Sequence, residues 1–138
     1  MSNWNDTVIK NFRESNGKEA GRFPGSSLVI LHTVGAKSGE AREAPMMYFT
    51  EGDDVYVVAS KAGSPENPAW YHNLVAHPEV SVERGTDDGI LRYDAIATPV
   101  ERTRRDELWT EFTQRAPGFA EYQEKTDRII PIVKITPR

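Results

Sequence analysis

The chain has 138 residues, a formal net charge of -4 and no cysteine. That length supplies one hydrophobic core and nothing in it marks a second, so residues 1–138 are read as a single domain. The acidic balance argues against a general nucleic-acid binder, and the missing cysteines exclude a disulfide framework, a thiolate nucleophile and a thiolate metal site. The opening residues Met1-Ser2-Asn3-Trp4-Asn5-Asp6 lack the basic-then-apolar layout of a signal peptide, and no apolar run approaches the roughly 20 residues of a spanning helix. A cytoplasmic protein without membrane insertion is expected.

Trp4, Val8, Ile9 and Phe12 recur at helical spacing and predict a short amphipathic helix ending before Gly17, placed to cover a barrel end or a ligand. Asn16 to Ser26 is rich in glycine and polar residues and reads as a loop. From Ser27 to Val34 the run Leu28-Val29-Ile30-Leu31 predicts a buried strand, followed by a turn over Gly35-Ala36-Lys37-Ser38-Gly39. Two glycines there permit positive φ and close approach of the main chain, while Lys37 and Arg42 bring two cations to one loop, a combination suited to phosphate. Pro45 to Phe49 reads as the returning strand, Glu51 to Asp54 as a hairpin turn and Val55 to Ala59 as the third antiparallel strand in sequence. That strand ends in Ala59-Ser60-Lys61-Ala62-Gly63, where small residues, a hydroxyl and an ammonium suit a flat ring.

A helix is predicted from Asn67-Pro68, with Asn67 as cap and Trp70, Tyr71, Leu74 and Val75 as its apolar face, stopped by Pro78. Val80 to Arg84 and Ile90 to Ala97 flank a second hairpin turn. Thr98-Pro99-Val100-Glu101 has the order of a capping box ahead of a helix bearing Leu108, Trp109 and Phe112. Pro117-Gly118 breaks that helix, and a short one follows through Tyr122 to about Thr126. Ile129 to Ile135 closes as a strand in which Pro131 suggests an edge or a bulge. About six strands joined mainly by hairpins, with few helices, predict a small antiparallel barrel.

Four segments, in this order, carry a resemblance: Gly35 to Gly39 with Arg42; Val58 to Gly63; Pro68 to Leu74 with His77-Pro78; and Tyr122-Gln123 with Thr126-Asp127-Arg128 and Ile130-Pro131. Together they resemble the deazaflavin-dependent nitroreductase family across nearly the whole chain. The resemblance implies a mainly β split barrel with flanking helices, related to FMN-binding pyridoxamine phosphate oxidase-like proteins. It implies coenzyme F420, an 8-hydroxy-5-deazaflavin with a phospholactyl oligoglutamate tail, and a hydride transfer to a nitroaromatic, quinone or activated alkene. Lys37 and Arg42, with the main chain around Gly35, Ser38 and Gly39, would hold the anionic tail. Ala59, Ser60 and Lys61 would lie along the ring, Pro68 and Trp70 would shape its edge, and Met47, Tyr48 and Asn73 complete the implied binding set. Tyr122 is the implied catalytic hydroxyl. Relatives that reduce nitro compounds carry further aromatic hydroxyls on the short C-terminal helix, whereas Phe119, one turn before Tyr122, has none, so substrate choice stays open.

Plainer roles stand beside these. The glycine turn is also an ordinary hairpin connection, Tyr48 also a strand residue, and one of Trp70 and Tyr71 a core residue. His72 and His77 fall on different sides of a helix with no third ligand in register, so no metal is expected. Arg102, Arg104 and Arg105 read as a solvated helix face. An FMN-binding barrel and a non-catalytic deazaflavin carrier are the alternatives, and a homodimer is left open.

Overall fold

The computed structural model describes residues 4–20, 23–24 and 28–138. Helix α1 (Trp4–Glu14) is followed by the two-residue strands β1 (Glu19–Ala20) and β2 (Phe23–Pro24), then β3 (Leu28–Val34), β4 (Ala41–Met47), β5 (Phe49–Glu51) and β6 (Asp54–Val58). A 3-10 turn at Lys61–Gly63 leads to α2 (Ala69–Ala76), β7 (Glu79–Thr86), β8 (Gly89–Pro99), α3 (Arg102–Arg115), α4 (Gly118–Glu124) and β9 (Ile132–Pro137). Seven strands form one antiparallel sheet in the order β4-β3-β7-β8-β9-β6-β5. β4 and β5 are its two edges, yet only Tyr48 separates Met47 from Phe49. A chain spans at most about 3.3–3.6 Å per residue, so the edges must meet and the sheet must curl. The result is the expected split barrel.

Side-chain alternation then explains why β3, β6 and β9 carry apolar runs: both their faces are covered. Val29 and Leu31 of β3, Val55 and Val57 of β6, and Val133 and Ile135 of β9 fill the barrel interior, where Leu74 of α2 plugs one end. The alternate residues of β3, Leu28 and Ile30, meet Val8, Ile9 and Phe12 of α1 on the outside. Each such buried side chain contributes about 1.5–3 kcal/mol over leaving it in water. On the other flank Tyr56, Val58 and Ile132 pack against Leu108 and Phe112 of α3, with the Phe112 ring stacked 4.5 Å from Phe49.

Several local expectations are corrected. The returning strand begins at Ala41 and is broken at Tyr48, whose hydroxyl donates to the Gly85 carbonyl at 3.0 Å. Of the three antiparallel strands expected in sequence, β3 pairs with the returning strand β4, while β6 pairs with β5 and β9. Thr98 and Pro99 do not cap α3; they end β8, opposite Lys134 and Val133, and the cap is Glu101, whose carboxylate accepts from the Arg104 N–H at 3.0 Å. Pro131 sits just ahead of β9, an interior strand, and its carbonyl accepts the Ala59 N–H. Asn67 does not cap α2, because Pro68 holds that position and Asn67 Oδ1 accepts from Arg128 at 2.8 Å. Val75 is exposed rather than part of the packed face. Arg105 is not on a solvated face: it is buried and ties α3 to the Ile130 carbonyl and to Gln123, with its guanidinium 4.5 Å above the Trp109 ring. Gly21, Arg22, Gly25 and Ser26 of the expected loop, Ser27 of the expected strand, and residues 1–3 lie outside the described residues. No helix among the described residues is long and apolar enough to cross a membrane.

Candidate functional site

The β3–β4 hairpin is built so that its tip presents donors. Gly35 N–H donates to Glu40 O at 2.8 Å and Gly39 N–H, at φ +71, donates to Gly35 O at 3.0 Å. A Cβ on Gly35 would lie 2.3 Å from Ser38 Oγ, so a side chain there would make the Ser38 hydroxyl turn away, and Gly39 is required by its backbone angle. The Ala36 N–H is held by Asn73 Oδ1 at 2.9 Å, and Asn73 Nδ2 donates to Thr33 Oγ1 at 3.2 Å, which fixes the loop to α2. The N–H groups of Lys37 and Ser38 have no acceptor among the described residues. The Lys37 side chain is exposed and makes no ion pair among them, whereas Arg42 pairs with Glu40 at 2.9 Å. Free N–H groups beside cations can receive an anion.

Facing it, the segment after β6 turns sharply. Lys61 adopts φ +44, one of two positive-φ residues other than glycine among those described, and Gly63 follows at φ +81. Strain of this kind concentrates where geometry serves a site. Gly63 lies directly against α4, which brings Phe119 and Tyr122 over the segment with their rings edge to face at 5.6 Å.

Between these parts lies a cleft of about 1550 Å³. Gly35, Lys37, Ser38 and Arg42 line one end, and Ser60, Lys61 and Tyr122 the other. Met47, Pro68, Trp70 and Asn73 form walls between them. Three residues of the expected set are not among those lining the cleft. Gly39 is exposed and closes the turn onto the Gly35 carbonyl, Tyr48 packs beneath Arg84 with 4.8 Å from guanidinium to ring centre, and Ala59 is fully buried. Asn73 touches the cleft, but both its amide atoms already serve the protein. Asn5 of α1, Pro45 and Met46 of β4, and Val75 of α2 also line the cleft, although no motif in the sequence assigns them to a site. Their signal was weak because β4 has a mixed polar pattern and each contributes only an edge.

His72 lines the same cleft, and His77 lies just beyond α2. A different group gathers outside the barrel: His32, Glu43 and Glu83 bring ligand atoms within 4.8 Å of one another. Arg13 of α1 fills that position instead, bonding Glu83 at 2.7 and 3.2 Å and also Glu43. Glu83 further accepts from His32 at 2.6 Å and pairs with Arg92 at 3.2 Å. Burial alone would raise the Glu83 carboxyl, but the hydrogen bonds from Arg13 and His32 and the nearby positive charge outweigh it and hold the group below the usual carboxylate range. The cluster fastens α1 to the sheet, which sets where Asn5 meets the cleft.

A family model described as F420H(2)-dependent quinone reductase matches residues 4–137. An F420H(2)-dependent quinone reductase of Mycobacterium tuberculosis is 37% identical over 131 residues, covering 92% of this chain and 85% of that protein. Among solved structures, an F420-H2 dependent reductase is 41% identical with a TM-score of 0.67, over 79% of this chain and 93% of its own. A domain-swapped dimer is 36% identical with a TM-score of 0.70, over 92% of each chain.

Proposed function

Because the chain belongs to the F420H(2)-dependent quinone reductase family, and so is an oxidoreductase that uses coenzyme F420, we propose that it reduces a quinone or similar small acceptor in the cleft between the β3–β4 hairpin and α4. The layout of the cleft carries this reading. Its hairpin end offers two free main-chain N–H groups and two cations; its other end offers Ser60 and Lys61 against the apolar walls of Met47, Pro68 and Trp70. That sequence of surfaces fits a flat ring with a phosphorylated, carboxylate-rich tail. Its volume exceeds the roughly 300–1,000 Å³ of ordinary small-ligand pockets, as so long a coenzyme requires.

When bound, the coenzyme supplies a hydride, and its deazaflavin chemistry favours two-electron transfer. The protein's own contributions are placement and electrostatics. Lys37 and Arg42 neutralise the tail; Ser60 and Lys61 meet the polar edge of the ring; Pro68, Trp70 and Phe119 exclude water from its faces. Tyr122 presents a hydroxyl to an acceptor oxygen on which negative charge develops, orienting it or passing it a proton. Nitroaromatics and activated alkenes, which develop charge in the same way, are proposed as further acceptors. A homodimer is the proposed assembly, supported by the 36% identical dimeric neighbour and checked by sedimentation of the purified protein. The absence of cysteine accords with the cytoplasmic setting proposed for the reaction.

Tyr122→Phe tests the site. It is expected to lower turnover about tenfold, the scale of one lost transition-state hydrogen bond, while leaving coenzyme affinity nearly unchanged. Steady-state rates with a quinone and a nitro compound, alongside a coenzyme titration, measure both quantities. Equal rates for wild type and variant with both acceptors would reduce Tyr122 to a packing residue beside Phe119.

A further inference from the structure

The geometry assigns Arg128 as the positioning residue of the ring end of the cleft: its guanidinium holds the Ala59–Asn67 segment so that the Ser60 and Lys61 amides face the ligand. The inference rests on the reading that the deazaflavin ring lies against Ser60 and Lys61. Arg128 follows α4 in sequence but spends its donors on the segment after β6. Nη1 donates to Ala59 O at 3.1 Å and Asn67 Oδ1 at 2.8 Å, Nη2 to Ser60 O at 2.7 Å, and Nε to Ser64 O at 2.9 Å. Its acceptors are carbonyl oxygens, and no carboxylate pairs with it among the described residues. Burial accordingly lowers its pKa with no acidic partner to offset the effect. A surface ion pair would not need this arrangement. A planar fork that must reach four oxygens at fixed angles does, and lysine cannot reproduce it.

The consequence for the cleft follows from peptide planarity. In a trans peptide the C=O of one residue and the N–H of the next point in opposite directions, and no cis bond occurs among the described residues. Drawing the Ala59 and Ser60 carbonyls onto Arg128 therefore turns the Ser60 and Lys61 N–H groups away from it. Neither N–H has an acceptor among the described residues, and both residues line the cleft. The anchored segment contains Lys61 at positive φ, a conformation uncommon for a lysine. Arg128 is itself steadied from α4, since Gln123 Nε2 donates to its carbonyl at 2.7 Å. The acceptor helix and the ring segment thus share one support.

The test compares coenzyme F420 with the tail-less 8-hydroxy-5-deazaflavin that bears only its ribityl chain, each titrated by fluorescence into wild type, Arg128→Lys, Asn67→Ala and Lys37→Ala. Unfolding temperatures and the absorption spectrum of the bound ring are recorded without acceptor. Arg128→Lys is expected to weaken both ligands by the same factor, about tenfold or more, and to alter the bound-ring spectrum. Asn67→Ala, which keeps the cation and three of its contacts, is expected to give a smaller loss of the same kind. Lys37→Ala should weaken only the tailed coenzyme. If Arg128→Lys does not fold, Asn67→Ala carries the comparison. Wild-type affinity for the tail-less ring in the folded variants, even with a lowered melting temperature, would overturn the positioning role and leave the cleft reading intact. Failure of wild type to bind either ligand would overturn both.

Discussion

Gly63→Ala is expected to lower the unfolding free energy by about 2–4 kcal/mol and to depress turnover at the same time. At φ +81 an alanine is strained whatever space surrounds it. Here there is none: the new Cβ would lie 2.6 Å from the Tyr122 carbonyl oxygen, 2.9 Å from Lys125 Cβ and 3.1 Å from Tyr122 Cα. Two of these atoms are backbone, so relief requires α4 to shift away from the Lys61 turn. Tyr122 would move with it, which joins the stability loss to a catalytic one. Gly118→Ala is the control, because nothing lies within 4 Å of a Cβ there. Denaturant titration and kcat/KM check both effects; wild-type stability in Gly63→Ala would mean that α4 is not packed on the ring segment.

Replacing Lys37 and Arg42 together by alanine is expected to weaken coenzyme F420 binding by about 2–4 kcal/mol, roughly 30- to 1,000-fold. Each charge-assisted contact to phosphate or carboxylate is worth about 1.5–3 kcal/mol. The shares should be unequal. Arg42 is already paired with Glu40, and both are more than half exposed, so its contact is partly spent and screened. Lys37→Ala alone should account for most of the loss, and the salt dependence of wild-type binding should flatten in the double variant. Fluorescence titration at low and high salt measures both. An unchanged dissociation constant would remove the hairpin tip from the binding surface.

What the sequence revealed and what it hid divide along a physical line. β3, β6 and β9 were legible because strands covered on both faces must be apolar at every position, as Leu28 to Leu31 and Val55 to Val58 are. The Gly35 and Gly39 turn was legible because glycine there answers a local steric demand. Features settled by distant partners were not. Thr98 and Pro99 satisfy a local capping pattern, but pairing with Lys134 and Val133 keeps them in a strand. Tyr48 looked like one residue of a continuous strand, yet it is the point where the chain passes between the two edges of the curled sheet. Arg105 read as surface charge, and the partners of Arg128 went unforeseen, because nothing local announces the Gln123 and main-chain oxygens that receive them. The cleft followed the same rule: its motif residues were visible, while Pro45, Met46 and Asn5 enter it only through the packing of β4 and α1.

The role proposed for this cleft is to hold a deazaflavin and deliver its hydride to an acceptor. Titration of the purified protein with coenzyme F420 and with FMN, followed by addition of a quinone to the reduced complex, tests it most directly. The expected result is one equivalent of coenzyme F420 bound in preference to FMN, with reoxidation by quinone that depends on the protein. Stoichiometric FMN with no binding of coenzyme F420, or bound coenzyme that no quinone reoxidises, would contradict it.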